Sequence, residues 1–264
     1  MRIALQLFRS FLAYLALSIG TLLMLFMIID YASFRTDIHF LQYKQTYIHN
    51  PLWMGAFYTH VFTGILALMA GFTQFSDFFL KNHREWHRRI GRLYAYNILL
   101  VNFPAGMILA VNANGLWPSK LAFVLLDCLW WWFTWKAVVS ARQRSFREHK
   151  QNMIRSYALT CSAIGLRSWK IILSHCFHPD PLRLYMIDAW MGFVPNLLFV
   201  ELLIRSQARK TASHFLPLKT QRIKENEPDA QVEYHKRADK TNGSKNPGIF
   251  AAVLLDSPVN ESGE

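Results

Sequence analysis

Six apolar blocks, each close to the length that crosses a bilayer, constrain this chain more than any motif does. A spanning helix needs about 20 mostly apolar residues. Residues 11–29, 53–75, 93–111, 121–139, 153–173 and 185–204 approximate that requirement. Between the second and third blocks lies a basic, histidine-bearing hinge that reads HREWHRRIGRLY from His83 to Tyr94. The stretch ARQRSFREHKQNMIRSY, Ala141 to Tyr157, echoes it before the fifth block. Only 17% of the 264 residues are charged, against about a quarter in a soluble domain. The fold class expected is therefore all-α: a polytopic membrane bundle of about six transmembrane helices with a disordered C-terminal tail. The first block is too long for the apolar core of a typical leader peptide and is read as a retained helix.

The distribution of lysine and arginine sets the orientation, because short cytoplasmic loops carry the excess. With the amino terminus inside, the inner segments hold Arg2, Arg9, Lys81, Arg84, Arg88, Arg89, Arg92, Arg142, Arg144, Arg147, Lys150, Arg205, Arg209 and Lys210, fourteen residues in all. The outer segments hold four, Arg35, Lys44, Lys120 and Arg183. Both termini are thus expected in the cytoplasm, and a plasma membrane is the default location. Three domains are expected: 1–52, a first helix and outer loop; 53–205, a five-helix membrane domain; and 206–264, a mobile cytoplasmic tail too polar to bury a core. The net charge of +12 is absorbed by the inner rim and the tail. No nucleic-acid-binding motif accompanies it, so lipid is the expected partner and nucleic acid is not. A partner membrane protein is left open.

Ionisable residues inside a span are costly and usually face the bundle interior or water. At about 1.5 Å per residue, His60, Asp127 and Arg167 share a depth near the outer side, and Asp188 begins the sixth block. Two readings stand. Asp127 and Arg167 form a neutralising ion pair beside His60, or the three form the floor of an outward-facing cavity in which His60 binds a group or relays protons. A second cluster, Gln74, His87, Arg92, His149, Arg155 and Glu201, lies at the inner side. An Arg155–Glu201 salt bridge is one expectation there. His87 and His149 on facing helices could instead ligate one b-type haem or a metal ion. Arg88, Arg89 and Arg155 would suit anionic head groups or propionates. The run His175-Cys176-Phe177-His178-Pro179-Asp180 has metal-ligand residue types but no second ligand set. Cys128, Cys161 and Cys176 form no CxxC and no disulfide framework. The small stripe Gly64, Ala67, Ala70 and Gly71 predicts close helix packing.

Taken in order, His60-x-x-x-Gly64, Gly71-x-x-Gln74-Phe75, His87-Arg88-x-x-Gly91-Arg92-x-Tyr94, His149-x-x-x-Met153-Ile154-Arg155-Ser156-Tyr157 and Pro195-Asn196-Leu197 with Glu201 resemble a family of predicted multi-pass membrane proteins, domain of unknown function 2306. The resemblance covers residues 53 to 205 and implies a membrane protein with no assigned substrate or reaction. That family is loosely similar to di-histidine haem bundles of the cytochrome b type. Here the second helix has only His60 and the third only His87, and His149 and His175 flank the fifth too far apart, which leaves room for one haem and not two. Candidate cofactor-binding residues are His60, His87, His149, Arg155 and Arg167. The functions carried forward are a redox or cofactor-binding protein, a small proton-linked transporter, and a non-catalytic factor that binds lipid or a partner protein.

Overall fold

The computed structural model describes residues 2–178 and 180–209. They are helical apart from short connections and the longer loop 32–50, and no strand occurs among the described residues. The chain runs through α1 (Arg2–Tyr31), α2 (Pro51–Gln74), a short α3 (Asp77–Asn82), α4 (Arg84–Tyr96), α5 (Phe103–Val111), α6 (Trp117–Arg142), α7 (Phe146–Thr160), α8 (Ser162–Phe177) and α9 (Pro181–Met191). A further helix, α10, covers 194–209. Among the described residues, five helical stretches are long and apolar enough to cross a membrane: Tyr14–Tyr31, Pro51–Gln74, Arg84–Val111, Trp117–Arg142 and Pro181–Arg209. The fifth expected span differs. It is divided at Cys161 into α7 and α8, of 15 and 16 residues, and neither half alone has spanning length. Of the tail expected from 206, residues 206–209 instead continue α10, and 210–264 lie outside the described residues.

Local chemistry places the helix starts. Asn50 Oδ1 accepts from the N–H groups of Leu52 at 3.0 Å and Trp53 at 3.3 Å, with Pro51 at the first helical position. Asp180 does the same for Leu182 and Arg183 ahead of Pro181. Each cap satisfies backbone donors that the first turn leaves orphaned. The turn between α5 and α6 passes through Gly115 at φ +82°, a left-handed conformation that suits glycine.

Three spans are interrupted near their midpoints, each for a readable reason. Between α4 and α5, Asn97–Asn102 form a π-helical turn. Pro104 follows and has no N–H for the Leu100 carbonyl, so the regular ladder cannot continue through it. At the α7–α8 junction, the Ser162 hydroxyl donates to the Leu159 carbonyl and Thr160 donates to Ser156 at 3.2 Å. Such back-bonding bends helices. At the α9–α10 junction, Pro195 cannot donate to Met191, and the chain turns at Gly192 and Phe193. The last two breaks touch: a Cβ on Gly165 would lie 2.6 Å from the Gly192 carbonyl oxygen, and Asn196 donates across to the Ala158 carbonyl at 3.3 Å.

The central core joins α2, α4, α6, α7 and α9 through Ala67, Tyr94, Ala122, Trp130, Leu159 and Ala189, with Phe193 added from the α9–α10 turn. Small residues on α2 allow this approach, as the stripe predicted. Gly71 lies directly under the ring of Tyr157, whose hydroxyl donates to the Leu68 carbonyl at 2.8 Å. Helix α1 packs along α2 and α8 through Met24, Ile28, Ile65, Leu68 and Ile164.

Candidate functional site

A cavity of about 590 Å³ occupies the half of the bundle opposite the basic hinges. His60, Asp127 and Arg167 all line it, together with Lys170, Tyr185 and Asp188. Its remaining walls are largely apolar. The loop 32–50 contributes His39, Phe40 and Tyr43 to its rim.

The Asp127–Arg167 ion pair is absent. Arg167 lines the cavity, and its guanidinium donates back to the carbonyl of Ala163 on its own helix at 2.8 Å. Asp127 is buried and abuts α5, where a Cβ on Gly106 would lie 2.9 Å from Oδ1. The glycine gives the carboxylate its place, but no cation accompanies it. Asp127 Oδ2, Asp188 Oδ1 and His60 Nδ1 are all buried without a hydrogen-bond partner. In a native interior such groups call for an explanation, and here all three line one cavity.

A hydroxyl network continues from the cavity floor toward the hinge end. Thr160 and Trp130 line the cavity. Trp130 Nε1 donates to Thr160 Oγ1 at 3.0 Å, and Thr160 shares a bond of 2.9 Å with Tyr94 Oη. Tyr94 in turn meets Ser156 Oγ at 2.8 Å, which meets Thr134 Oγ1 at 2.6 Å. These groups are fully buried, and each hydroxyl can both donate and accept.

One turn further along α6, the Ala137 carbonyl faces His149 Nδ1 at 2.8 Å. His149 lies within electrostatic reach of His87, whose Nδ1 is buried without a partner. Gln74 approaches the same place, donating to the His87 carbonyl at 3.2 Å. Gly91 permits that approach, because a Cβ there would lie 3.0 Å from Gln74 Oε1. Arg155 and Glu201 make the expected salt bridge, bidentate through Nε and NH2, the latter at 3.1 Å. Arg155 also lies 5.6 Å over the Phe133 ring. The predicted site residues thus divide: His60 and Arg167 at the cavity, His87, His149 and Arg155 at the hinge end.

Two buried polar groups escaped the sequence reading. Asn102, fully buried, donates to Thr63 Oγ1 and to Asn97 Oδ1, both at 2.9 Å, while Asn97 donates to the Thr63 carbonyl at 2.8 Å. The signal was present: two asparagines inside an apolar block, just before a proline. Lys44, counted only as an outer-loop charge, is buried at 2% exposure. Its ammonium donates to the Asn112 carbonyl and lies 4.9–6.0 Å from the rings of Phe40, Tyr47 and Trp53. Burial, with Lys120 adding repulsion, pushes it down to about 8. That contact ties the rim loop to the α5–α6 turn.

As to metals, no three of His, Cys, Asp and Glu gather as a metal-binding group among the described residues. In the 175–180 run, His175 Nδ1 faces the Ile171 carbonyl of its own helix at 2.9 Å. Neither the large cavity nor a second one on the bundle's flank is lined by His87 or His149.

Residues 57–204, more than half of the chain, match the model of a family described as predicted membrane protein (DUF2306). No curated protein and no solved structure matches the chain.

Proposed function

We propose, from the premise that this chain belongs to the DUF2306 family of predicted membrane proteins, that it is a proton-linked carrier for a small molecule with an apolar body and an acidic head. One observation carries the reading: a buried carboxylate without a counter-cation, Asp127, stands on the floor of a cavity open at one end of the bundle. An intramembrane acid so placed suits proton binding. Arg167 and Lys170 supply cations for the acidic head, and the apolar walls take the body. The chain Thr160–Tyr94–Ser156–Thr134 offers a hydroxyl relay toward His149 and His87. Three spans broken near mid-bundle are the feature around which carriers build substrate sites and move. In this reading the basic hinges face the cytoplasm, both termini are cytoplasmic, the cavity opens outward, and the membrane is a plasma membrane.

The test uses full-length protein in proteoliposomes loaded with a pH-sensitive dye, with octanoate, benzoate and phenyl phosphate added outside. A dye response to at least one of them, beyond that of empty liposomes and lost in Asp127→Asn, is expected. Folded, inserted protein that gives no response to any of the three overturns the reading.

A second reading, one b-type haem or a metal ion at His87 and His149, is supported by the Nδ1 contact of His149 to a carbonyl, which leaves Nε2 outward as second-shell partners do for metal-binding histidines. Expression with haem supplied, followed by an absorption spectrum and metal analysis, tests it. A colourless, metal-free product refutes it.

A further inference from the structure

The second cavity, about 540 Å³, is a groove on the bundle's flank between α2 and the α4–π-turn segment. Met69 and Thr73 form one wall, Ile90, Leu93 and Leu100 the other, and Ala70 the floor. Leu93 and Leu100 are each 68% exposed and Met69 48%, so the groove faces whatever surrounds the helices. The Thr73 hydroxyl in its lining is already bonded to the Ala70 carbonyl at 2.9 Å.

The groove has a direction. It runs from the interrupted centre of the bundle, at Leu100 and Val101, down to Ile90 at the hinge. Eleven residues at about 1.5 Å each give about 17 Å, close to half of a hydrocarbon core of about 30 Å. One turn beyond Ile90 and Leu93, at i−4, stand Trp86 and Arg89 on the same helix face. Trp86 is 56% exposed, and the Arg89 guanidinium lies 5.9 Å over its ring. The elbow also carries Lys81, Arg84, Arg88 and Arg92. The acids in the same stretch of sequence are Asp77 and Glu85, and Glu85 reaches Arg89 at 3.5 Å. The balance at the groove's hinge end is positive. A tryptophan beside arginines at the foot of an apolar channel one leaflet long is the chemistry of a lipid headgroup level.

We propose that this groove holds one acyl chain of an anionic phospholipid of the hinge-side leaflet, with the phosphate on Arg89 beside Trp86. Charge complementarity and length select the occupant. A neutral phospholipid lacks the first match, and a free phosphate lacks the second.

The full-length protein, freed of lipid in detergent, is titrated with phosphatidylglycerol, with phosphatidylcholine of the same chains, and with glycerophosphoglycerol, and bound lipid is read by native mass spectrometry. Phosphatidylglycerol is expected to bind more tightly than phosphatidylcholine. Arg89→Gln should weaken it about fivefold, the weight of one basic residue at an anionic surface. Arg142→Gln, away from the groove, should leave it unchanged. Met69→Trp, which fills the groove, should lower phosphatidylglycerol binding while leaving the protein folded. Equal binding of the two phospholipids, or full competition by glycerophosphoglycerol, overturns the proposal. So does an Arg89→Gln protein that is folded and binds as the wild type does.

Discussion

Replacing Gly71 by alanine puts the packing of the central core to a quantitative test. The added Cβ would lie 1.9 Å from Cζ, 2.0 Å from Oη and 2.4 Å from Cε2 of Tyr157. No heavy atom tolerates such distances, so the ring must leave. It is held by the bond from its hydroxyl to the Leu68 carbonyl at 2.8 Å and crowded by Phe75, whose ring centroid is 4.9 Å away. Overpacking of a well-filled core costs about 1–3 kcal/mol. A hydrogen bond lost inside a membrane bundle adds about 0.6–1.7 kcal/mol. The sum, about 2–5 kcal/mol, is a large share of a typical total stability. Thermal or denaturant unfolding in detergent, followed by near-ultraviolet circular dichroism, measures it. The cycle with Tyr157→Ala isolates the cause: in that background Gly71→Ala should cost almost nothing, because the two effects share one contact. An alanine variant as stable as the wild type, or one equally costly in both backgrounds, would refute the reasoning.

Other expectations concern charge and polar networks. Because burial lowers the folded-state pKa of Lys44 to about 8 from the ordinary 10.5, the folded form sheds this proton first. The contribution of Lys44 to stability is least favourable below about pH 8 and rises between there and 10.5. Unfolding curves across that window should show the rise, and Lys44→Met should flatten it. Arg155→Met strands Glu201 and should destabilise by about 1–3 kcal/mol, between the exposed and buried limits for broken ion pairs; adding Glu201→Leu should recover part of the loss in the same unfolding assay. Asn102→Leu deprives Thr63 and Asn97 of their donor, and a loss of about 1–2 kcal/mol is expected. A neutral outcome would place the π-turn's stability in Pro104 alone.

The spans themselves were legible because bilayer length and apolar composition are local properties of the chain. So was the Arg155–Glu201 pair, since two opposite charges at matching depth near one rim have few alternatives. The partition of the other charges was not legible. Depth aligned Asp127 with Arg167, but depth carries no azimuth: both line the cavity, yet Arg167 bonds back to Ala163 while Asp127 settles against Gly106. The break at Cys161 depends on Ser162 and Thr160 turning back to carbonyls, and a hydropathy profile does not register that. Asn97 and Asn102 were hidden for the opposite reason: neutral polar residues do not interrupt an apolar block. Lys44 lies buried only because a rim loop folds over Phe57 and Trp53, a tertiary event with no periodic trace.

Sided thiol labelling of His60→Cys tests the proposed outward opening of the cavity most directly. The background carries serine at Cys128, Cys161 and Cys176, and the protein sits in sealed proteoliposomes of known orientation. A membrane-impermeant thiol reagent should modify residue 60 from the side of the loop 32–50 and leave it intact from the side of the Lys81–Arg92 hinge. Modification from the hinge side, or from neither side in a protein that labels fully once denatured, would contradict the account.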